Sequence, residues 1–392
     1  MKVAFVTPRW AVEVRGGAET AARESAERLA SEGWQVEAFT SRALDHFTWA
    51  NELPEGEEVV NGVPVHRFTC SGVRFDDDPD FAARVIHRPR SATLDEAYRW
   101  VRMQGPTSDD MTDAVASSSA DVTIFTPYLF APTVLGVPRV GARSVMAAAA
   151  HDEPLLRLPA YRETFRAAGG FVYYSVEERD LAERVFRVGH TPGAVIGIGV
   201  ERPDVPSGRE FIPAAVGDAP YLICLGRVEE GKGSRLLARY FEVYKERHPG
   251  PLKLVLSGPP SQAERYQHPD IVLTGVVDEA EKWALLDHAV AFVTPSPYES
   301  FSIVLMEGWL AGRPALVNGR CAVTAGHAAR SGGGLAFCDY PSFAAAIDRL
   351  LRDDDLRRRL GERGRAYAAA EYSWPAVIGR YRAFLEEFAS RI

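Results

Sequence analysis

Short apolar runs and longer amphipathic stretches alternate along this chain, and the alternation predicts its elements. "KVAFVTP" (2–8) is apolar, rich in β-formers and ended by proline, which predicts a buried strand. A polar loop containing Gly16-Gly17 follows. "AETAARESAERLASEG" then predicts a helix packed through Ala18, Ala22, Ala26 and Leu29 and stopped at Gly33. "WQVEAFT" is the next strand. Strand, helix and strand in so short a span form a parallel crossover unit. Further strands are predicted at Val63–Phe68, Val122–Phe125, Ser144–Ala148 and Gly170–Tyr174.

Over 191–220 the pattern lapses into "TPGAVIGIGVERPDVPSGREFIPAAVGDAP", dense in glycine and proline, and reads as a linker. The alternation then restarts. Strands are predicted at Tyr221–Leu225, Leu252–Ser257, Ile271–Thr274, Val290–Thr294 and Pro314–Val317, with helices near Ser234–Arg247, through Ala280–Asp287 and before Pro314. The expected fold class is α/β: two Rossmann-like parallel domains, residues 1–200 and 215–373. The last stretch, "WPAVIGRYRAFLEEFASRI" (374–392), is amphipathic through Trp374, Ile378, Tyr381, Leu385 and Phe388, and is expected to complete the N-terminal domain. Sheets of this kind bind ligands at the carboxyl ends of their strands, and two such domains make the cleft between them the expected site.

Composition narrows the function classes. The 392 residues are 46% hydrophobic and 25% charged, with a formal net charge of −8, which disfavours a broad nucleic-acid surface. Arg84, His87, Arg88 and Arg90 form a small basic cluster with Trp100 nearby. It reads either as a solvated helix-and-turn face or as a contact for a membrane or an acceptor. Cys70, Cys224, Cys321 and Cys338 show no C-x-x-C spacing, which points to a reducing compartment and away from a zinc cage. The N-terminus lacks a signal-peptide pattern, and no apolar run approaches the roughly 20 residues of a membrane span. The expectation is a cytoplasmic protein, with peripheral contact at the inner membrane face left open.

"CLGRVEEGKGSRLL" (224–237) follows a strand and fits the phosphate-loop template G-x-x-x-x-G-K at Gly226, Gly231 and Lys232. It then departs, because Gly233 stands where a Ser or Thr would hold magnesium and Ser234 comes one place late. A triphosphatase would also need a carboxylate at a strand end. The nearest, Asp287 in "EAEKWALLDHA", falls at helical spacing with Trp283, Leu286 and Val290. What remains is a glycine-rich turn before a helix, carrying Arg227 and Lys232. It is either a capping helix start or a magnesium-free grip on phosphate. Gly16-Gly17 lacks G-x-G-x-x-G and is either a plain turn or a point of backbone approach to a diphosphate.

"VTPSPYESFSIVLMEGWLAGRPALV" (293–317) carries the strongest chemical signal. A strand ends at Pro295, a loop holds Glu299, and Ser300 or Ser302 is positioned to cap a helix running to Ala311. That helix is apolar nearly all round except for Glu307. An isolated carboxylate there costs several kcal/mol unless something, such as a ligand's hydroxyls, satisfies it. The amides of Phe301, Ser302 and Ile303 would face an anion. The same spacing of glutamates at Glu19/Glu27 and Glu24/Glu32 reads only as solvated charge.

Taken together, "GRVEEGKG", "TGVVDEAEKWALLDHA", "PSPYESFSIVLMEGWLAGRPALV" and "YSWPAVIGRYRAFL" resemble, in order, the retaining nucleotide-sugar-dependent glycosyltransferases of family four (group 1), with the GT-B fold. The resemblance is strong over 220–390 and looser at "RGGAE", "QGPTS" and "AAHDEP". It implies two Rossmann-like domains facing each other across a cleft, the first on the acceptor side and the second on the donor side. It further implies that Arg227 and Lys232, with the amides of Phe301, Ser302 and Ile303, hold the donor's diphosphate. Gly226 belongs to that loop, and Gly17 approaches the phosphate from the other domain. Glu307 would accept from ribose hydroxyls, Glu299 would place the transferred sugar, and Val276 and Val277 would border the base. His151, beside Asp152, would face the sugar near its anomeric carbon. After Pro314 the chain departs from the family's Gly-Gly-x-x-Glu-like turn, with "VNGRCAVTAGH" in its place.

The implied chemistry is same-face substitution with retention, in which the departing phosphate helps deprotonate a hydroxyl acceptor and no covalent nucleophile is needed. Glu299, His151, Lys232 and Arg227 form the implied catalytic set. Formal Asp-x-Asp motifs in "FDDDPDF" (76–80) and "RDDDLRR" (353–355) read as a loop feeding a helix and an acidic helix start. Metal-independent chemistry with no cofactor is therefore expected. A nucleotide-sugar epimerase and a non-catalytic nucleotide-sugar-binding protein stay open as alternatives. So do the base (UDP, GDP or other), the sugar, and the acceptor, whether glycan, lipid-linked sugar or small molecule.

Overall fold

In a computed structural model, Lys2–Val6 forms strand β1 and Gly17–Ser31 helix α1, and the parallel partner β2 covers Gln35–Ser41. The structure describes residues 1–14, 16–71, 74–75, 77–261, 266 and 268–392. Arg15 of "RGGAE" and Asp76 of the first aspartate run lie outside the described residues. By its contacts the chain divides into two units, Met1–Gly199 with Val377–Ile392, and Val200–Ala376.

The first unit continues with β3 (Gly56–Val60), β4 (Val63–Phe68), α2 (Pro79–His87), α3 (Leu94–Gln104), α4 (Asp109–Ser117) and β5 (Val122–Phe125). Then come α5 (Ala131–Val140), β6 (Ser144–Ala147), α6 (Pro159–Ala167), β7 (Gly170–Tyr173), α7 (Val176–Phe186) and β8 (Gly193–Val195). Among the described residues the sheet order is β3-β4-β2-β1-β5-β6-β7-β8, with every pair parallel except β3–β4. β5, β6 and β7 are buried at every position, as expected of parallel strands covered on both faces.

The second unit contains β9 (Tyr221–Leu225), α8 (Ser234–Arg247), β10 (Lys253–Ser257), β11 (Ile271–Gly275), α9 (Glu279–His288) and β12 (Ala291–Thr294). It continues through α10 (Ile303–Leu310), β13 (Ala315–Asn318), α11 (Ala322–Ser331), β14 (Gly334–Phe337), α12 (Tyr340–Arg352) and α13 (Asp354–Tyr372). Its sheet is parallel throughout, in the order β11-β10-β9-β12-β13-β14. The strand order reverses direction between β9 and β12, so the loops leaving these two strands flank the position where such sheets take ligands.

The final helix, α14 (Trp374–Ala389), buries Val377, Ile378, Tyr381, Leu385 and Phe388. The Phe388 ring lies over Gly170 of β7, where an added Cβ would come within 2.7 Å of it. Arg380 Nε donates to the Ile196 carbonyl at 3.0 Å. These contacts explain why residues from Val377 onward group with the first unit.

Several expectations need correction. The predicted linker 191–220 contains β8, an edge strand of three residues too short to register as an apolar run. β3 ("GEEVV") is almost wholly exposed, so it gave no buried pattern. On α1 the buried face runs through Ala21, Ala22, Ser25, Ala26 and Leu29, and Ala18 is only half-buried. Glu19 is not solvated: it is buried and receives both Nε (2.8 Å) and Nη2 (2.5 Å) of Arg9. Trp100 is not a surface neighbour of the basic cluster, because it is buried and donates from Nε1 to the Ala82 carbonyl. Arg84, His87, Arg88 and Arg90 themselves are exposed. The aspartate runs start helices: Asp78 accepts from the Phe81 amide at the N-cap of α2, and Asp353 from the Leu356 amide at that of α13. Asp287 lies inside α9, paired with Arg202.

Candidate functional site

The turn after β9 is shaped by glycines. Gly226 has φ 120°, a conformation L side chains rarely adopt, and its amide donates to the Ser257 carbonyl at the end of β10. Gly233 has φ 77°, and a Cβ there would come within 2.6 Å of the Pro295 carbonyl oxygen. The β9–α8 turn therefore packs directly on the loop leaving β12, and only glycine allows it. This close approach brings Lys232 to Glu299, with Nζ 2.9 Å from Oε1. Glu299 is largely covered, while the Lys232 side chain stays 35% exposed and open to a further anion. Below the pair, in β9, burial pushes the Cys224 thiol up to about 12, with Lys232 pulling it down and Glu299 pushing it up. Arg227 is exposed and turned toward Glu229, 3.2 Å from Oε1. The sequence-predicted Gly226, Arg227, Lys232 and Glu299 thus occupy two adjoining loops.

The β12 loop leads into α10, whose Leu305, Met306 and Trp309 are fully buried. Phe301 is buried too, its ring edge-on to those of Tyr372 at 4.8 Å and His327 at 5.5 Å. The first amides of the helix, those of Ile303 and Val304, precede its first backbone bond, which runs from the Leu305 amide to the Ser302 carbonyl at 3.1 Å. The expected capping fails in detail. Ser302 occupies the N-cap in the left-handed region (φ 76°, ψ 75°), and its side chain makes no hydrogen bond to the helix. Its hydroxyl is buried with no partner among the described residues.

Glu307 is not an isolated carboxylate. Lys282 Nζ, from α9, lies 2.8 Å from its Oε1 and 2.9 Å from Glu279 Oε2. Burial alone would lower the Lys282 pKa, but the adjoining Glu307 and Glu279 hold it above the ordinary lysine value. Lys282 is not among the residues the sequence predicts for the site. Its one signal was the i,i+3 pairing with Glu279 in "DEAEK", an ordinary helix-surface pattern. Val276 is 60% exposed and Val277 half-buried in the turn between β11 and α9.

Two predicted residues belong to the first unit. Gly17 is the exposed first residue of α1. His151 follows β6, and its carboxylate neighbour is Glu153, 3.4 Å from Nδ1, rather than Asp152. Asp152 instead pairs with Arg157 and Arg184. Glu153 also accepts from the Tyr128 hydroxyl at 2.6 Å. The turn before His151 is held by a residue absent from the sequence-derived set. Fully buried Glu178, in the first turn of α7, accepts from the amides of Ala150 (2.7 Å) and Tyr174 (2.6 Å). Burial raises its pKa to about 8, against the lowering effect of those amides and that of Ala149, whose φ is 55°. Among the described residues no group of three or more His, Cys, Asp or Glu is placed to hold a metal ion. None of the helices described is long and apolar enough to cross a membrane.

The chain is similar to known proteins in both sequence and fold. Residues 219–353, which include Arg227, Lys232, Glu299 and Glu307, match the family model for glycosyl transferases group 1. The chain is 26% identical to a D-inositol 3-phosphate glycosyltransferase of Frankia alni over 94% of each chain. It is 33% identical to an MMP alpha-(1->4)-mannosyltransferase of Mycolicibacterium hassiacum over 31% of each. In structure it resembles sucrose-phosphate synthase from Thermosynechococcus elongatus, with a TM-score of 0.74 at 17% identity over the full length of both chains. An E. coli structure described as trehalose-6-phosphate bound with UDP-2-fluoro glucose gives 0.69 at 12% identity, again over both full chains. Two Rossmann-like α/β units of this kind are the GT-B fold. Residues 219–353 are thus similar to a glycosyl transferases group 1 domain.

Proposed function

We propose that the protein moves a sugar from a nucleoside-diphosphate-sugar to a hydroxyl acceptor with retention of anomeric configuration and without a metal ion. The observation that carries this is the Lys232–Glu299 pair at the reversal point of the second sheet, beside the glycine turn after β9 and the N-terminus of α10. Breaking the sugar–phosphate bond leaves growing negative charge on a diphosphate. Fixed cations and unpaired helix amides stabilise such charge with little rearrangement. Lys232 and Arg227 would take the phosphates, with the amides of Phe301, Ser302 and Ile303. Glu299, fixed by Lys232, would orient the transferred sugar. Glu307, fixed by Lys282, would accept from the ribose hydroxyls, and Val276 and Val277 would border the base. In the first unit, Gly17 would approach the phosphate and His151 the sugar. The names of the relatives, which include enzymes for an inositol phosphate and for a mannosyl linkage, support a polyol or sugar hydroxyl as acceptor.

The test is incubation with UDP- and GDP-sugars and a panel of sugar and polyol acceptors in the presence of EDTA. The expected result is free nucleoside diphosphate together with a glycoside whose anomeric coupling in proton NMR matches that of the donor. An inverted product would overturn retention, and loss of activity in EDTA restored by a divalent ion would overturn metal independence. An altered sugar nucleotide with no glycoside would instead identify an epimerase, and binding without turnover a silent binding protein.

A further inference from the structure

The turn after β2 puts two neighbouring aromatic side chains to opposite uses. Trp49 is only 2% exposed, whereas Phe47, two residues before it, is 59% exposed. A lone exposed apolar residue is ordinary, but this one is held in place. The Asp45 carboxylate accepts from the amides of Phe47 (2.9 Å) and Thr48 (2.8 Å) and so closes the turn. Trp49 has φ 52°, a left-handed conformation that is rare for a bulky side chain and persists only where its surroundings fix it.

Those surroundings are loops at the carboxyl edge of the first sheet. Trp49 Nε1 donates to the Gln104 carbonyl at 2.8 Å, and its ring meets that of Phe130, in the loop after β5, edge-on at 5.4 Å. Asn51 exchanges two hydrogen bonds with the backbone of Cys70, just beyond β4. Arg9, in the loop after β1, donates from Nη1 to the Leu44 carbonyl at 2.8 Å. The turn is thus tied to the loops of β1, β4 and β5, along the edge where parallel sheets take ligands. Phe47 stands out from this base. The His46 ring packs against it with centroids 4.0 Å apart, and the Arg74 guanidinium lies 6.0 Å from its centre, yet the residue keeps its high exposure. An aromatic ring fixed in this way loses little freedom on binding, and its negative π face attracts the C–H bonds on the apolar side of a sugar ring.

We propose that Phe47 is an acceptor-binding residue, on whose ring the C–H face of a pyranose or cyclic polyol stacks. The inference rests on the transfer to a sugar or polyol hydroxyl proposed above. It narrows the acceptor to ring-shaped molecules and assigns a side chain of the first unit to their recognition.

Saturation-transfer NMR titrations of wild type, Phe47→Leu and Phe47→Trp test this, each with and without saturating UDP or GDP. The ring probes are myo-inositol, D-inositol 3-phosphate and methyl α-D-mannoside, and the open-chain control is D-glucitol. Wild type should bind at least one ring probe. Leucine keeps the apolar bulk without the π face, so Phe47→Leu should bind that probe about three- to tenfold more weakly. Phe47→Trp should bind it about as well as wild type. Because Phe47 is exposed, both variants should keep the wild-type thermal midpoint and the wild-type affinity for the nucleotide. The inference is overturned if Phe47→Leu binds the ring probe within about twofold of wild type. It is overturned equally if that variant loses D-glucitol to the same extent, or if wild type binds no ring probe in either condition. Each of these results leaves the donor site standing. A wild type that binds neither UDP nor GDP would instead remove the donor site, and the titrations without nucleotide would still decide the role of Phe47.

Discussion

Lys232 Nζ lies 2.9 Å from Glu299 Oε1, and this contact joins the loops that leave β9 and β12. A lysine in the first loop and a glutamate in the second are thereby held at one point, 67 residues apart in sequence. The pair is partly open to solvent, so its contribution to folding is small, about 0–1 kcal/mol. Its weight lies in what each group is left free to do when a ligand arrives.

Lys232→Ala should therefore lower stability by less than about 1 kcal/mol. Donor affinity, by contrast, should fall at least tenfold, since a phosphate loses a charge-assisted partner and Glu299 loses its neutralising cation. Chemical denaturation and a donor titration on the same preparation check both halves. Equal losses in the two would mean that the lysine is only structural.

Glu307 and Lys282 make a second, more covered pair. Glu307→Ala should leave a folded protein that no longer binds or turns over the donor. It should also be destabilised by about 1–3 kcal/mol, because Lys282 keeps only the exposed Glu279 as partner. Lys282→Met should impair donor binding as well, through a carboxylate left without its cation. A double-mutant cycle on stability and on donor Kd separates the two effects. Wild-type turnover in Glu307→Ala would remove Glu307 from the site.

Glu178 predicts an unusual pH dependence. Its folded pKa is raised by burial to about 8, above the ordinary glutamate value of 4.5. Between those values the folded state retains a proton that the unfolded chain has released. The Glu178 contribution is therefore fully present below about pH 4.5 and is lost as pH rises toward 8. Urea denaturation at pH 5 and pH 8 should show wild type losing more stability than Glu178→Gln over that interval. Parallel losses would show that the carboxyl ionises equally in both states. Because Glu178 holds the turn before His151, Glu178→Ala should also lower turnover.

His327 acts in the opposite sense. Burial, with a smaller contribution from Arg330, lowers its pKa to about 3, below the usual 6.5. Its stabilisation is present above pH 6.5 and is lost as pH falls toward 3, because the unfolded chain takes up the proton first. His327→Gln should flatten the decline in stability between pH 6.5 and 4. An unchanged decline would point to other groups.

Much of the framework was legible because parallel strands buried on both faces appear as continuous apolar runs. β1, β5, β9, β12 and β13 all announced themselves in this way. β3 and β8 did not, the one being exposed and the other three residues long. The loops after β9 and β12 were legible as chemistry from their glycines, cations and carboxylates. What escaped was set by tertiary contact. Lys282 reaches Glu307 across 25 residues, and Glu178 reaches Ala150 across 28, so neither pairing follows from spacing along one helix. Ser302 was legible as an N-cap, but a serine gives no sign that its φ will be positive.

The central claim is that the second unit grips a diphosphate through Lys232 and the start of α10. A crystal structure of the protein with bound UDP or GDP tests it most directly. The account predicts phosphate oxygens about 2.7–3.1 Å from Lys232 Nζ and from the amides of Ser302 or Ile303. A nucleotide bound with its phosphates out of reach of these groups would contradict it.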